Sequence, residues 1–194
     1  MSDIICVTSR VLCTENFLLR IHRIAEAQPR QIILREPDLP FEEYKALAYA
    51  VLPICCKYGV PLVLSRHDSL ARQLHLPMQL RYAEAASADV CLKGNGVSVH
   101  SVEETKIVCK RHPAHLIAGH IWETDCKKGM TGRGIQFLRH IVQSANGCPV
   151  FAIGGITPIR MPAVRESGAA GACVMSALMT CKEPAALLSS LDHS

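Results

Sequence analysis

Several protein classes are excluded by what this chain does not contain. Its ten cysteines include no C-x-x-C pair, and none stands at zinc-type spacing from a histidine. Most fall in apolar runs such as residues 4–8 and 171–175, so they read as small buried hydrophobes of a reducing compartment. Cys55 and Cys56 are adjacent in a helical pattern and should face different sides. No apolar run approaches the roughly 18 residues a membrane span needs. Nothing ahead of Ile4 reads as a leader, which leads us to expect a cytoplasmic protein with no membrane partner. Basic residues form no stripe. Apart from Lys110-Arg111 and Lys127-Lys128 they are scattered, and the net charge is only +4. Nucleic acid is therefore not an expected partner, whereas a small anion is. There is no linker and no low-complexity tract, so the 194 residues are expected to form one domain spanning 1–194. A homo-oligomer is left open.

What is present is alternation. Short apolar runs at 4–8, 31–35, 61–64, 74–76, 96–100, 115–118, 149–153 and 171–175 read as buried strands. Between them lie amphipathic segments at 15–28, 40–58, 68–73, 81–88, 135–145, 158–167 and 183–191. Pro40 opens the second and Gly59 ends it, while Ser101 and Glu104 form a capping box for a helix after residue 100. Eight strand–helix units predict an α/β protein with a (β/α)8 barrel. The 119–133 connection is long for so short a chain, and long loops in compact domains are usually functional or disordered.

In a (β/α)8 barrel, chemistry gathers where strands run out at their C-terminal ends. The second strand delivers Arg35 there, followed by Glu36, and the third delivers Ser65. Arg35 is suited either to a bidentate carboxylate contact or to a salt bridge with Glu36 or a neighbouring acid. The fifth strand ends at His100, which reads mainly as a structural residue before the helix cap. After the sixth strand come Gly119, His120, Thr124 and Lys127. His120 can exchange a proton near neutral pH or simply face solvent, and Lys127 can pair with phosphate or carboxylate. Gly154-Gly155 follow the seventh strand, and Met175, Ser176 and Ala177 follow the eighth. Glycines let backbone N–H groups approach an anion, so these two exits predict a phosphate grip. Carboxylates are scarce at the same ends. The third strand runs into Ser65-Arg66-His67 and the fourth into Leu76-Pro77-Met78, with Asp68 read as a helix cap. No metal or other cofactor is expected from that set.

Together Leu34-Arg35-Glu36, Gly96–Ser101, the 119–129 loop, Ala152–Ile156 and Val174-Met175-Ser176 resemble the thiamine phosphate synthase superfamily over essentially the whole chain. The match looks closer to the TenI-type branch, the thiazole tautomerases, most specifically over residues 119–129 and Gly132-Arg133-Gly134. The synthases carry proline in place of His120, a basic residue in place of Pro37 and Asn-Asp in place of Ser65-Arg66. The resemblance implies an isomerase of thiamin biosynthesis that aromatises a small phosphorylated thiazole carboxylate. His120 would be its acid/base, Arg35 or Lys127 its carboxylate ligand, and Gly154, Gly155 and Ser176 its phosphate grip. His67 could share the proton work. The alternatives are thiamine phosphate synthase, which joins thiazole phosphate to hydroxymethylpyrimidine diphosphate with magnesium, a non-catalytic phosphate-ligand-binding or regulatory relative, and another phosphate-binding barrel isomerase.

Overall fold

Eight strands alternate with helices in the computed structural model, which describes residues 2–124 and 129–194. The strands are β1 (Ile4–Val7), β2 (Gln31–Leu34), β3 (Leu62–Leu64), β4 (Gln79–Arg81), β5 (Gly96–Val99), β6 (His115–Gly119), β7 (Val150–Ile153) and β8 (Gly171–Val174). The helices are α1 (Phe17–Glu26), α2 (Phe41–Tyr58), α3 (Asp68–Leu74), α4 (Tyr82–Ala85), α5 (Val102–Cys109), α6 (Gly134–Ser144), α7 (Met161–Glu166), α8 (Ser176–Thr180) and α9 (Pro184–Asp192). The sheet order is β3-β2-β1-β8-β7-β6-β5-β4, and the fold is the expected (β/α)8 barrel. Contacts divide the chain into two compact units, residues 1–78 with 174–193, and residues 79–173 with 194.

In the first unit β1, β2 and β3 pair in parallel, with Val7 opposite Ile33 and Leu34 opposite Leu64. β1 is buried throughout, as a strand covered on both faces must be. α1 turns Ile21, Ile24 and Ala25 inward. The same face also buries Arg20, at 3% exposure. A buried guanidinium requires partners. Arg20 Nη1 donates to the Cys181 carbonyl at 2.6 Å, and Nε lies 2.7 Å from Glu15 Oε1. This ties α1 to the turn that ends α8. α2 buries Tyr44, Ala48, Val51 and Cys55, while Cys56 is exposed, so the vicinal thiols do face different ways. Gly59 closes the helix in the left-handed region at φ 68°.

The second unit pairs β4 through β8 in parallel. Its N-terminal edge carries a polar layer, in which His115 Nε2 lies 2.9 Å from Gln79 Oε1 and Gln79 Nε2 donates to Ser98 Oγ at 3.1 Å. Gly96 lies between Gln79 and His115, and a Cβ there would overlap both side chains.

Three local expectations are corrected. Residues 74–76 are not a strand. They close α3, with His75 at φ 54° and the Leu76 N–H bonded to the Ala71 carbonyl at 2.9 Å. β4 is Gln79–Arg81 instead, because three apolar residues carry no periodicity that separates a helix end from a strand. The 158–167 helix splits into a 3-10 turn, Pro158–Arg160, and α7, since Pro158 and Pro162 remove backbone donors. α8 follows β8 directly and has no counterpart in the expected elements.

Replacing Arg20 by alanine removes charged hydrogen bonds inside the first unit. Stability should fall by roughly 1.5–3 kcal/mol, read as a lower urea midpoint with the far-ultraviolet dichroism of the native state retained.

Candidate functional site

At the C-terminal ends of β1, β2 and β3, polar residues begin as soon as strand pairing stops. Thr8 is fully buried, and its hydroxyl donates to Glu36 Oε1 at 2.7 Å. The Thr8 hydroxyl oxygen in turn accepts the Arg35 N–H at 2.9 Å. Glu36 is 1% exposed, and its second carboxylate oxygen accepts the Arg10 N–H at 2.8 Å. Burial pushes the Glu36 carboxyl above its ordinary range, and these two hydrogen bonds pull it back. Glu36 is therefore engaged with Thr8 and Arg10. Of the two readings of Arg35, the salt bridge to Glu36 is absent, and Arg35 is exposed. Ser65 turns its hydroxyl onto the Leu34 carbonyl at 2.9 Å, where Tyr44 OH also donates at 2.8 Å. Arg66 is exposed and donates to the Pro37 carbonyl at 2.7 Å.

His67 follows in the left-handed region at φ 65°. Its ring lies 5.0 Å from each of the Phe41 and Tyr44 rings, and its buried Nε2 has no hydrogen-bond partner. Burial first, and then the Arg66 charge, hold its imidazole below the usual histidine range. It is placed as a ring packed between two aromatic side chains.

In the second unit the ends of β6 and β7 are built on one another. His120 is 4% exposed and follows a cis peptide from Gly119. The Ile121 and Trp122 N–H groups donate to the Ile153 and Gly154 carbonyls at 2.9 and 3.1 Å. Gly154 and Gly155 have φ of 101° and 65°, a turn closed to side chains. A Cβ on Gly154 would stand 2.5 Å from His120 Cβ, and one on Gly155 would stand 2.8 Å from Trp122 Cβ. Arg160 locks this turn, donating to the Gly155 carbonyl at 2.6 Å with its guanidinium 5.1 Å from the Trp122 ring. Neither Arg160 nor Thr8 was singled out from the sequence. Both act through backbone carbonyls or a buried carboxylate, which leave no spacing motif.

The remaining expected residues are placed as follows. Thr124 is half-buried at the end of the β6 exit, and Lys127 lies outside the described residues. Met175, Ser176 and Ala177 belong to the first unit, with Ser176 exposed at the start of α8. His100 is structural: its N–H donates to Glu104 Oε2 at 2.6 Å, and its carbonyl accepts from Arg133 at 2.7 Å. Glu104 thus caps the residue before Ser101, while Ser101 Oγ accepts the Glu104 N–H at 3.1 Å.

A magnesium ion requires hard oxygen ligands, usually carboxylates. β3 exits into Ser65, Arg66 and His67, and β4 ends in Arg81, whose guanidinium holds Glu84 at 2.7 Å. Among the described residues no three His, Cys, Asp or Glu side chains are grouped to hold a metal. The donors at these ends do not fit magnesium.

The lowered titration of His67 has a stability signature. The folded state holds the imidazole neutral, so it binds fewer protons than the unfolded chain. That contribution is present above about pH 6.5 and is lost as pH falls from there toward the lower folded value. His67→Asn keeps a residue tolerant of the left-handed backbone and should flatten this part of the stability profile between pH 7.5 and 5, measured by urea denaturation.

Comparison with known proteins sets these exits in context. The thiamine monophosphate synthase family pattern matches residues 4–178. A thiamine-phosphate synthase of Desulfitobacterium hafniense (strain Y51) is 30% identical over 188 residues, covering 93% of this chain and 90% of that one. Another, from Geobacillus thermodenitrificans, is 32% identical over 156 residues, covering 77% and 71%. Among solved structures, a thiamine phosphate pyrophosphorylase from Pyrococcus furiosus superposes with a TM-score of 0.80 at 23% identity, covering 97% of this chain and 92% of that one, and shares the fold.

These relatives overturn the expected tautomerase and, with it, the isomerase class. They bear the name of a synthase, a transferase. Among the described residues His120 Nε2 meets the Met130 carbonyl at 3.3 Å, and its buried Nδ1 has no hydrogen-bond partner. No helix is long and apolar enough to cross a membrane among the described residues. The chain belongs to the thiamine monophosphate synthase family.

Proposed function

We propose that this chain is a transferase of the thiamine-phosphate synthase type, joining a thiazole phosphate to hydroxymethylpyrimidine diphosphate. The observation that carries this reading is end-to-end similarity to a thiamine-phosphate synthase, at 30% identity over 188 residues. We also propose that the chain acts as one domain, in the cytoplasm, on phosphorylated small molecules.

The chemistry asks little of acid/base groups. The thiazole nitrogen supplies the electron pair for a new C–N bond to the pyrimidine methylene carbon. The C–O bond to diphosphate breaks, and diphosphate departs with the electrons of the C–O bond. No proton moves in this step. Catalysis then comes from holding two anionic substrates in line and from stabilising charge on the leaving group.

The groups described above suit that task. The Gly154-Gly155 turn stands at the end of β7, where glycine backbone suits contact with a phosphate. Ser176 and Ala177 start α8, and Arg35 carries an exposed cation at the end of β2. His120 supports the Gly154 turn by packing, and no proton transfer is assigned to it.

The test is formation of thiamine phosphate from the two substrates, followed by chromatography with fluorescent detection. Product is expected from the wild type, and its absence with and without magnesium would overturn the reading. Gly154→Ala drives a Cβ into His120 and should cost on the order of 10²-fold in kcat/KM, the effect of an approximately 1 Å displacement. His120→Ala should lower kcat/KM by no more than about tenfold and leave the shape of the pH profile unchanged. A loss of about 10²–10⁴-fold with a vanished limb in that profile would instead make His120 a proton-transfer group.

A further inference from the structure

Two asparagines of this chain, Asn95 and Asn146, precede glycine. Such a pair is open to internal cyclisation. The amide nitrogen of the following residue attacks the asparagine side-chain carbon, and glycine sets no side chain in the way. Closure needs an asparagine side chain that can turn, a backbone that can rotate, and space around the glycine. The two pairs differ in all three respects.

Asn95 is held. Its Nδ2 donates to the Cys91 carbonyl at 2.9 Å, its N–H donates to the Leu92 carbonyl at 3.0 Å, and its own carbonyl accepts the Ala114 N–H at 2.8 Å. Gly96 opens β5 and is buried, and a Cβ on it would stand 2.2 Å from Gln79 Oε1 and 2.4 Å from His115 Nε2. Rotating this peptide breaks those bonds and drives it into the polar layer between β4 and β6.

Asn146 is not held. It lies in the turn between α6 and β7 at φ 49°, and Gly147 follows at φ 82°. Both residues are exposed. Among the described residues the Asn146 side chain has no hydrogen-bond partner, its carbonyl accepts nothing, and the Gly147 N–H donates to nothing. One backbone bond closes the turn, from the Cys148 N–H to the Ala145 carbonyl at 3.0 Å. A Cβ on Gly147 would meet nothing within 4 Å. An exposed turn held by one bond opens at low cost, and the left-handed backbone is unfavourable for asparagine in the first place.

We propose that Asn146-Gly147 is a site of spontaneous deamidation and that the fold protects Asn95-Gly96 from it. The Gly147 nitrogen loses its proton and forms a bond to Asn146 Cγ. The Cγ–Nδ2 bond breaks, and the amide nitrogen leaves as ammonia after taking up protons. Water then opens the five-membered imide at one carbonyl or the other, giving aspartate or isoaspartate. The sum is one water consumed and one ammonia released, with no oxidant or cofactor. The product sets a carboxylate just past the C-terminal end of α6, where the helix dipole disfavours negative charge and the last turn carries no basic residue. It also lowers the formal net charge of +4 by one. The turn leads into the start of β7, and Gly154 stands at the other end of that strand, so the modification weakens the fold away from the strand exits. None of this depends on the transferase reading.

The experiment is incubation of the full chain in mildly alkaline buffer at physiological temperature, followed by peptide mass mapping that separates aspartate and isoaspartate from asparagine. In the native chain the Asn146 peptide should acquire both products while the Asn95 peptide stays intact. The conversion should quicken as pH rises, because the Gly147 nitrogen reacts in its deprotonated form, and a more acidic species should appear on isoelectric focusing. In urea both pairs should react at similar rates, which assigns the native difference to the fold. Asn146→Gly keeps the left-handed backbone and should remove the acidic species. Asn146→Asp carries the product's charge and should lower the thermal midpoint by about 1–4 °C. Asn146 still intact in the native chain once both pairs have reacted in urea, or Asn95 reacting as fast as Asn146 in the native chain, would overturn the proposal. The wild-type mapping decides this even if a variant fails to fold.

Discussion

Parallel strands covered on both faces must be apolar to their last paired residue, and that constraint organises this chain. β1 is Ile-Ile-Cys-Val and β2 ends Ile-Ile-Leu, all of them buried. Polar chemistry therefore begins abruptly where pairing stops, at Thr8, Arg35, Ser65, His120 and Gly154. The buried carboxylate of Glu36 is the clearest consequence. It lies one residue past Arg35, and both its oxygens are satisfied by groups leaving β1. A charge so placed is costly if any partner is lost, so it holds the exits of β1 and β2 in one arrangement. The Arg35 side chain is exposed and makes no ion pair with Glu36.

The second unit solves the same problem with glycine instead of charge. Gly119, Gly154 and Gly155 sit where β6 and β7 end, and each is hemmed in by its neighbours: Ile153 beside the first, His120 beside the second, Trp122 and Arg160 beside the third. Removing side chains there brings two backbones together. Arg160 supports this from behind by hydrogen bonding to the Gly155 carbonyl, so the turn does not depend on a ligand for its shape.

Much of this was legible in the sequence, and the reasons differ by element. The long helix α2 declared itself through Pro40 and Gly59, and the buried strands through their β-branched runs. β4 was misplaced because its three residues, Gln-Leu-Arg, lack an apolar run, while Leu74-His75-Leu76 has one and belongs to a helix end. The exits carrying Arg35, His120 and Gly154-Gly155 were found correctly, since they follow directly from strand positions. The activity was misjudged because residues 119–129 and the shortage of acids at the strand exits were read as marks of the tautomerase branch.

That misjudgement also bears on how substitutions at a strand exit are to be interpreted. Arginine at 66 and proline at 37 replace groups that the resemblance assigns to metal and diphosphate handling, and taken one at a time they look like losses. In the structure they are coupled, because the Arg66 guanidinium is anchored on the Pro37 carbonyl. Exchanging a carboxylate for a guanidinium reverses the local charge by two units while the anion to be held stays the same. A carboxylate can meet that anion only through an intervening cation, whereas a guanidinium meets it directly. The absence of an acid at this position therefore does not by itself mean that the activity is absent.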